Sequence, residues 1–418
     1  MKVLIVTPNF SEFNPGYSLT SIVTDQIKML HRNGHDVDVL VAERYTGGDI
    51  EGANILKEIP KVDLVDYKTL LDIGSEHLRW AEGFSDAFEK LIHAHDVVFT
   101  HDIVFTGWNL PIYIALKSTG VKDRGFLHWV HSIPNHGYDW WNLKDLGKNH
   151  RIVSPNRSYR QLVAEAFKGQ WEDVVPIPHI RDVRVVNYFG EDTWEFIDRH
   201  PGALNADIVQ VYPASCDRLD FKGMRELVLI FKELKSLGFS VCLICANQWA
   251  TGRQPKISIT EYEELALRNG LTKREFIFTS GDKPEYESGI PHKMLMELFH
   301  LSNLFIFPTK SESFGLVLPE ALLTGCVLPV INSHLSVLDE VLEGRGLQFG
   351  FGSFQHALNH PVGGEANYLK NVAAVIAARM QNEEGVVSRS ICRQQYNMDS
   401  IYRKYYLPVM EDMKQWMT

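Results

Sequence analysis

Two carboxylates and the loop between them are the residues whose types and spacing most clearly suggest chemistry. Glu312 and Glu320 stand eight residues apart in the stretch FIFPTKSESFGLVLPEALLTGCVLPVIN, residues 305–332. Gly315 lies between the two acids and lets the backbone approach a ligand closely. One carboxylate in a turn and one in the helix behind it could hold two different hydroxyl groups of the same ligand.

The elements that position these acids follow from the local pattern. An apolar run over 304–307 ends at Pro308 and predicts a strand, and the run over 316–324 predicts a helix that stops at Gly325. The run 326–331 predicts the next buried strand. Strand, polar turn, helix and strand form one βαβ unit of a parallel sheet. The carboxyl edge of this unit and the positive end of its helix together form a suitable binding site for phosphate or sugar oxygens.

The segment from Glu312 to Glu320 resembles the E-x7-E element of retaining glycosyltransferases with the GT-B fold, of the GT4 type. The resemblance implies that Glu312 holds donor-sugar hydroxyls and favours an oxocarbenium-like transition state. It implies that Glu320 holds the ribose of the donor nucleotide. The alternative is a surface turn followed by one exposed helical Glu. The resemblance also assigns donor binding to Ser313, Phe314, Gly315 and Leu316.

A polar loop carries two cations, Arg218 and Lys222, just before Gly223. The run 207–212 predicts a strand before this loop, and the run 224–237 predicts a helix after it. The loop resembles the family's Arg-Leu-x-x-x-Lys-Gly segment, whose cations neutralise the donor diphosphate. This role is implied for both cations, although they stand four residues apart here and five apart in the usual family pattern.

The first half of the chain opens with a predicted strand over 1–7, a helix over 18–33 and a strand over 36–42. This unit resembles the family's N-terminal βαβ unit, in which a Gly-rich loop approaches the donor. Only Gly16 is carried over from that loop. A plain turn glycine is an equal alternative for it.

Histidines near the ends of predicted strands are further candidates. His131 ends the run 125–131, and polar residues at strand carboxyl ends face the ligand crevice of an open parallel sheet. The family's strand-then-His element matches His131 best, which implies a catalytic position, and His128 is the chief competitor. His101 resembles a second, weaker family position.

The amino-acid composition, 45% apolar and 22% charged, is typical of a soluble globular protein. For a chain of 418 residues, two or three domains are expected. Five cysteines form no disulfide framework, which favours a reducing cytoplasm. No window approaches the ~20 apolar residues of a membrane span, and the opening apolar run is too short for a signal peptide. The net charge of −10 argues against a generally basic binder of nucleic acid or membranes.

These patterns and the resemblance predict an α/β chain with the GT-B fold. We expect two Rossmann-like domains whose parallel sheets face a central cleft, with a C-terminal helix that crosses back to the first domain. The predicted boundaries are 1–185 for the acceptor domain, 186–206 for a linker, 207–390 for the nucleotide-sugar domain and 391–418 for the closing helix.

The stretch 129–160 interleaves aromatic and basic residues, among them Trp129, Trp140 and Trp141. Core tryptophans beside a solvated basic face are the favoured interpretation. The alternative is an acceptor groove in which rings stack on bases and cations meet phosphates. That alternative would suit a glycosyltransferase acting on hydroxymethylated bases in phage DNA.

The predicted reaction is a retaining, metal-independent transfer of a sugar from a nucleoside-diphosphate sugar, favoured as a UDP-sugar, to an acceptor hydroxyl. The expected acceptor is a glycan, a lipid-linked glycan or a small molecule. No separate cofactor is expected, and no Asp-x-Asp metal site stands out. A non-catalytic module that binds a nucleotide-sugar is the alternative from another class.

Overall fold

A computed structural model describes residues 1–8, 18–134, 137–180, 182–354 and 364–416 of the chain. The chain divides into two compact units, Met1–Asp182 with Tyr396–Thr418, and Val183–Gln395. Helices alternate with parallel strands in both units, which confirms the predicted α/β class with parallel sheets. No helix among the described residues is long and apolar enough to cross a lipid bilayer.

The first unit is built on a parallel sheet of seven strands in the order β3-β2-β1-β4-β5-β6-β7. Its central strands are buried on both faces, as expected where helices cover both sides of a parallel sheet. The strands are β1 Lys2–Val6, β2 Asp36–Ala42, β3 Asn54–Ile59, β4 Val97–His101, β5 Gly125–Trp129, β6 His150–Ser154 and β7 Val174–Pro176.

Amphipathic helices cover this sheet. In the second of them, His77, Ala81, Phe84, Phe88 and Ile92 recur at helical spacing and are buried. The helices before the second unit are α1 Ser18–Arg32, α2 Ser75–His93, α3 Leu110–Thr119 and α4 Arg160–Ala166.

The second unit begins with short helices in the region predicted as a linker: α5 Val183–Asn187, α6 Glu191–Arg199 and α7 Gly202–Asn205. Trp194, Phe196 and Ile197 of α6 are buried in the core of this unit. The region therefore packs as part of the second unit, which also retains residues up to Gln395.

Two parallel sheets of three strands each form the framework of the second unit. The strands are β8 Ile208–Ser215, β9 Val241–Gln248, β10 Phe276–Phe278, β11 Leu304–Phe307, β12 Leu328–Asn332 and β13 Leu347–Phe349. The helices are α8 Met224–Ser236, α9 Arg253–Arg268, α10 His292–Phe299, α11 Val317–Thr324, α12 Ser336–Leu342, α13 Gly364–Asn382 and α14 Glu384–Gln395.

Side chains join β8 to β11, which belong to different sheets. Gln210 Nε2 donates to the Ile306 carbonyl at 2.8 Å, and Gln210 Oε1 accepts from the Ile306 N–H at 3.0 Å. The Val209 N–H donates to Asn303 Oδ1 at 2.9 Å, and the Asn303 N–H donates to the Val209 carbonyl at 3.0 Å. These bonds place β8 beside β11, so the two sheets lie edge to edge in the order β10-β9-β8 and then β11-β12-β13.

The C-terminal segment belongs to the first unit. It comprises α15 Met398–Ile401, a π-helical turn Tyr402–Tyr406 and α16 Leu407–Trp416. Ile401, Tyr406 and Met413 are buried in the same core as Phe99 and Trp129 of the first sheet. This packing ties the end of the chain to β4 and β5.

Candidate functional site

The strand order of the second unit reverses between β8 and β11. Strands β9 and β10 lie on one side of β8, and β12 and β13 lie on the far side of β11. In open parallel sheets, ligands bind outside the carboxyl ends of the strands at such a reversal point. The loops that leave β8 and β11, residues 216–223 and 308–316, are therefore the expected ligand-binding loops.

Lys222 and Glu312 meet between these two loops. Lys222 Nζ forms a direct ion pair with Glu312 Oε1, and Thr309 Oγ1 lies 3.3 Å from the same oxygen. The two side chains are only 23% and 15% exposed, so solvent screens their attraction less than that of a surface pair. Folding thus unites the acid of the E-x7-E segment with the cation of the Lys-Gly loop.

Close packing of the two loops fixes the position of Lys222. A Cβ atom on Gly223, which has φ of +72°, would lie 2.6 Å from the carbonyl oxygen of Pro308. The Lys310 N–H donates to the Phe221 carbonyl at 2.8 Å, which adds a backbone link between the loops. Glycine is therefore required here both for its left-handed conformation and for the close approach.

Replacing Gly223 by alanine is expected to lower the free energy of unfolding by about 2–3 kcal/mol, since left-handed strain adds to the overlap with Pro308. Gly344→Ala is the matched control, because Gly344 has φ of +76° and nothing within 4 Å of its Cβ position. We expect this control to cost about 1 kcal/mol. Urea unfolding measures both losses, and equal values would contradict a tight contact at Gly223.

Arg218 lies one helical turn before Lys222. The Lys222 N–H donates to the Arg218 carbonyl at 2.8 Å, so the four-residue spacing that departs from the family pattern closes a single turn. Residues four apart on such a turn are neighbours. The Arg218 side chain is 66% exposed and lies 3.9 Å from the Asp217 carboxylate. Arg218 is therefore presented to solvent and has no contact with Glu312 in this structure.

The loop between Glu312 and α11 contains the predicted donor-binding residues. Gly315 has φ of +80°, and a Cβ atom there would lie 2.9 Å from the Leu338 side chain. A glycine is therefore needed where this loop turns into α11. Between Glu312 and α11, the exposed residues are Ser313, Phe314 and Leu316.

Glu320 lies in the first turn of α11, where its N–H donates to the Leu316 carbonyl at 3.2 Å. Its Oε1 is 3.5 Å from Nε2 of His292, the first residue of α10. The two acids of the E-x7-E segment therefore contact different partners. Glu312 faces the Lys222 loop, and Glu320 faces the start of α10.

The first sheet has the same kind of reversal, between β1 and β4. Gly16, in the segment after β1, lies outside the described residues. His101 ends β4 and His131 follows β5, with His101 Nδ1 and His131 Nε2 2.9 Å apart. The His179 ring stacks on His131 with ring centroids 5.2 Å apart. Three histidines from the carboxyl ends of different strands therefore lie together.

Burial makes two of these histidines neutral. Burial and then His179 lower the pKa of His131 to about 3. Burial and then the neighbouring histidines lower the pKa of His101 well below 6.5. Each ring therefore acts near neutral pH as a hydrogen-bonding group and carries no charge.

His128, the chief competitor of His131, lies inside the sheet. It is fully buried, with Nδ1 2.8 Å from Thr100 Oγ1 and Nε2 2.9 Å from His150 Nδ1. Both ring nitrogens are engaged by core neighbours. His128 is therefore a structural residue of the core.

Asp102 is a residue that the sequence analysis did not assign to a site. It follows His101 directly, and its φ of +56° is unusual for a residue other than glycine. Its Oδ1 accepts from the His131 backbone N–H at 3.2 Å, and burial raises its pKa to about 6. Its place at the carboxyl end of β4 is the signal that could have identified it.

Replacing Asp102 by asparagine is expected to stabilise the protein by about 1–3 kcal/mol at pH 8. The folded-state pKa of about 6 lies above the ordinary 3.8, so stability is lost as the carboxyl ionises between these values. Asparagine also tolerates the left-handed conformation and keeps the acceptor for His131. Denaturant unfolding should show the gain at pH 8 and none at pH 4. A loss of stability at pH 8 would contradict a costly buried carboxylate.

The three tryptophans of the aromatic and basic stretch do not form a stacking surface. Trp129, Trp140 and Trp141 are at most 2% exposed. Arg151, one of the basic residues of the stretch, lies 3.7 Å from the Asp173 carboxylate. The tryptophans are core residues, so they give no support to an acceptor groove for DNA bases.

The two cysteines of β9 have the properties of structural residues. Cys242 and Cys245 are buried in β9, where burial raises the pKa of both thiols, as expected for structural cysteines. Among the described residues, no group of three or more His, Cys, Asp or Glu is arranged to hold a metal ion.

No protein-family model and no curated protein matches the chain. A glycosyltransferase structure from Rickettsia africae ESF-5 is 16% identical over 99% of this chain and 98% of its own, with a TM-score of 0.36. HepE of Anabaena with UDP and glucose is 14% identical over 99% and 100%, with a TM-score of 0.34. Sucrose-phosphate synthase from Thermosynechococcus elongatus is 16% identical over 99% and 98%, with a TM-score of 0.33. Likenesses this weak carry no argument about the function of this chain.

Proposed function

We infer that this chain is a GT-B glycosyltransferase that moves a sugar from a nucleoside-diphosphate sugar to an acceptor hydroxyl. The observation that carries the proposal is the ion pair of Lys222 with Glu312 at the reversal point of the second sheet. It combines a cation for a diphosphate with a carboxylate for sugar hydroxyls, beside the beginning of α11. The resemblance of both segments to a retaining glycosyltransferase family supports the same function.

Donor binding would make Lys222 and Glu312 exchange partners. The diphosphate would take Lys222, with Arg218 one turn away as a second cation. Glu312 would then accept hydrogen bonds from hydroxyls of the donor sugar. The positive end of the α11 dipole, at the start of that helix, would also stabilise the negative charge of the diphosphate.

The proposed chemistry breaks the bond between the anomeric carbon and the diphosphate oxygen and forms a bond to the acceptor oxygen on the same face of the sugar. The acceptor hydroxyl proton passes to the departing diphosphate oxygen. Lys222 and Arg218 stabilise the charge that develops on this leaving group, and Glu312 favours the oxocarbenium-like sugar. The reaction is proposed to retain anomeric configuration without a metal ion.

Glu320 is proposed to hold the ribose hydroxyls of the donor. Its carboxylate is 32% exposed, and its neighbour at 3.5 Å is the 72% exposed His292, so a ligand could replace that contact at little cost. A UDP-sugar is the favoured donor. The donor-binding loop would contribute Ser313, Phe314, Gly315 and Leu316.

The first unit is proposed to bind the acceptor. His131 and Asp102 lie together at the carboxyl edge of its sheet, which is the edge where parallel sheets bind ligands. A glycan, a lipid-linked glycan or a small molecule is the proposed acceptor class.

A thermal-shift screen with UDP, GDP and ADP tests the proposal. A nucleotide at about 100 times its Kd should add about 2.7 kcal/mol of stability. UDP is expected to give the largest shift, and uridine, which lacks the diphosphate, a much smaller one. The UDP shift should shrink in Lys222→Ala. If no nucleotide shifts the melting temperature, the proposal is wrong.

A non-catalytic nucleotide-sugar module would give the same binding results. Hydrolysis of UDP-glucose separates the two, because slow transfer to water needs the same catalytic groups. We expect UDP release by the native chain and its loss in Glu312→Ala. Binding without release would favour the non-catalytic module.

A further inference from the structure

A chain of hydrogen bonds links the C-terminal segment to His131 inside the first unit. Gln26 Nε2 donates to the Tyr406 hydroxyl at 2.8 Å, and Gln26 Oε1 lies 3.0 Å from His101 Nε2. His101 Nδ1 lies 2.9 Å from His131 Nε2. Gln26, His101 and Tyr406 are at most 2% exposed, so water does not compete for these contacts.

The direction of the first bond sets the hydrogens of both rings. In the orientation that the structure gives the Gln26 amide, its N–H₂ faces Tyr406, and its carbonyl oxygen faces His101, where it can only accept. His101 must then carry its hydrogen on Nε2, and as a neutral ring it has a bare Nδ1. That bare nitrogen accepts from His131, which therefore carries its own hydrogen on Nε2.

His131 is thus left with a lone pair on Nδ1. This nitrogen is buried and has no hydrogen-bond partner among the described residues. An unpaired buried acceptor is costly, and such atoms in folded proteins require an explanation. The Asp102 carboxylate holds the His131 backbone N–H at 3.2 Å, so the ring is also fixed from its main chain.

We propose that Tyr406, Gln26 and His101 are positioning residues that hold His131 in one neutral tautomer, with Nδ1 ready to accept a hydrogen bond from a ligand hydroxyl. A bare Nδ1 accepts from hydroxyls and repels phosphate oxygens, so the site favours the hydroxyl of a sugar over an anionic group. The identity of this ligand as a sugar rests on the function proposed above. The tautomer of His131 does not depend on the proposed function.

The π-helical turn explains how the C-terminal segment takes part. Tyr402 and Tyr406 both belong to it, and both hydroxyls contact side chains of the first unit. Tyr406 contacts Gln26, whereas the Tyr402 hydroxyl lies 2.8 Å from His35 Nε2. The Tyr402 contact has the same chemistry without a connection to His131, which makes Tyr402→Phe a matched control.

Nitrogen-15 NMR of the full chain with labelled histidine tests the proposal, because two-bond correlations report which ring nitrogen carries hydrogen. We expect a single His131 tautomer with bare Nδ1 in the native chain and in Tyr402→Phe. In Tyr406→Phe and Gln26→Met, both tautomers of His131 should appear. A native His131 with hydrogen on Nδ1, or an unchanged tautomer in both relay variants, would overturn the proposal.

Turnover provides a second readout that a structural role would not move. The two tyrosine variants each lose one buried hydroxyl contact and should melt at similar temperatures. Only Tyr406→Phe is expected to lower kcat/KM for sugar transfer, by about threefold to tenfold. Equal turnover in the two variants would count against the relay. If the tautomers behave as expected but no nucleotide-sugar is turned over, the relay stands and the proposed function fails.

Discussion

Replacing Lys222 by alanine is expected to lower kcat for UDP release from the donor by about 100-fold to 1000-fold. Lys222 is the cation that folding places at the reversal point of the second sheet, where it meets Glu312. In the proposed reaction, the variant lacks the main group that stabilises charge on the departing diphosphate. Rates of UDP release by the native chain and the variant measure the effect.

Lys232→Ala is the control for Lys222→Ala. Lys232 also pairs with a glutamate, Glu233, but it belongs to the middle of α8, away from both ligand-binding loops. We expect the control to keep native turnover. Equal losses in the two variants, or a loss below about threefold in Lys222→Ala, would contradict the assigned role.

Glu312→Gln in the Lys222→Ala background shows whether the two residues act as a unit. If they exchange partners during donor binding, the loss in the double variant should be smaller than the product of the two single losses. A loss in the double variant equal to the product of the two single losses would indicate that the ion pair has no part in the reaction.

The largest expected loss of stability follows from Gln210→Met. Gln210 is completely buried and satisfies both the N–H and the carbonyl of Ile306. Methionine fills a similar volume but leaves those two backbone groups unpaired, at a cost of about 3–5 kcal/mol. This is a large fraction of the stability of a typical domain, about 5–15 kcal/mol. Urea unfolding of the full chain, followed through the transition of the second unit, measures this loss of stability.

Gln248→Met is the control for Gln210→Met. Gln248 ends the neighbouring strand β9, and its side chain is exposed. We expect its replacement to change stability by no more than about 0.5 kcal/mol. Similar small changes in both variants would mean that the contact between β8 and β11 does not depend on the Gln210 amide.

The elements around the E-x7-E segment could be predicted from the sequence because their boundaries are local. The predicted strand over 304–307 agrees with β11, and the predicted helix over 316–324 differs from α11 by one residue at its start. Proline after the strand and glycine after the helix mark these ends in the sequence itself. The following strand was placed less accurately, since β12 is Leu328–Asn332 and the prediction began at 326.

The seam between β8 and β11 could not be predicted. Gln210 reads as one polar residue in an apolar strand, and its partner Ile306 is 96 residues away. A buried side-chain amide can make the hydrogen bonds of a strand backbone only where the fold leaves a gap between two strands. That gap is a property of tertiary packing, so no local pattern reports it.

The candidate site was predictable only in part. Lys222 and Glu312 could be named, but their direct contact depends on loops 90 residues apart. The tryptophans of the stretch 129–160 show a second limit of the sequence analysis. Composition alone does not distinguish a buried ring from an exposed one. The short helix α6 was missed since its apolar residues, Trp194, Phe196 and Ile197, span barely one turn.

A crystal structure with UDP bound tests the central claim most directly. We expect diphosphate oxygens within about 3 Å of Lys222 Nζ, and ribose hydroxyls within about 3 Å of the Glu320 carboxylate. The contact between Lys222 and Glu312 should be open in that structure. UDP bound elsewhere on the second unit, or bound there with Lys222 still paired to Glu312, would contradict the proposed donor site.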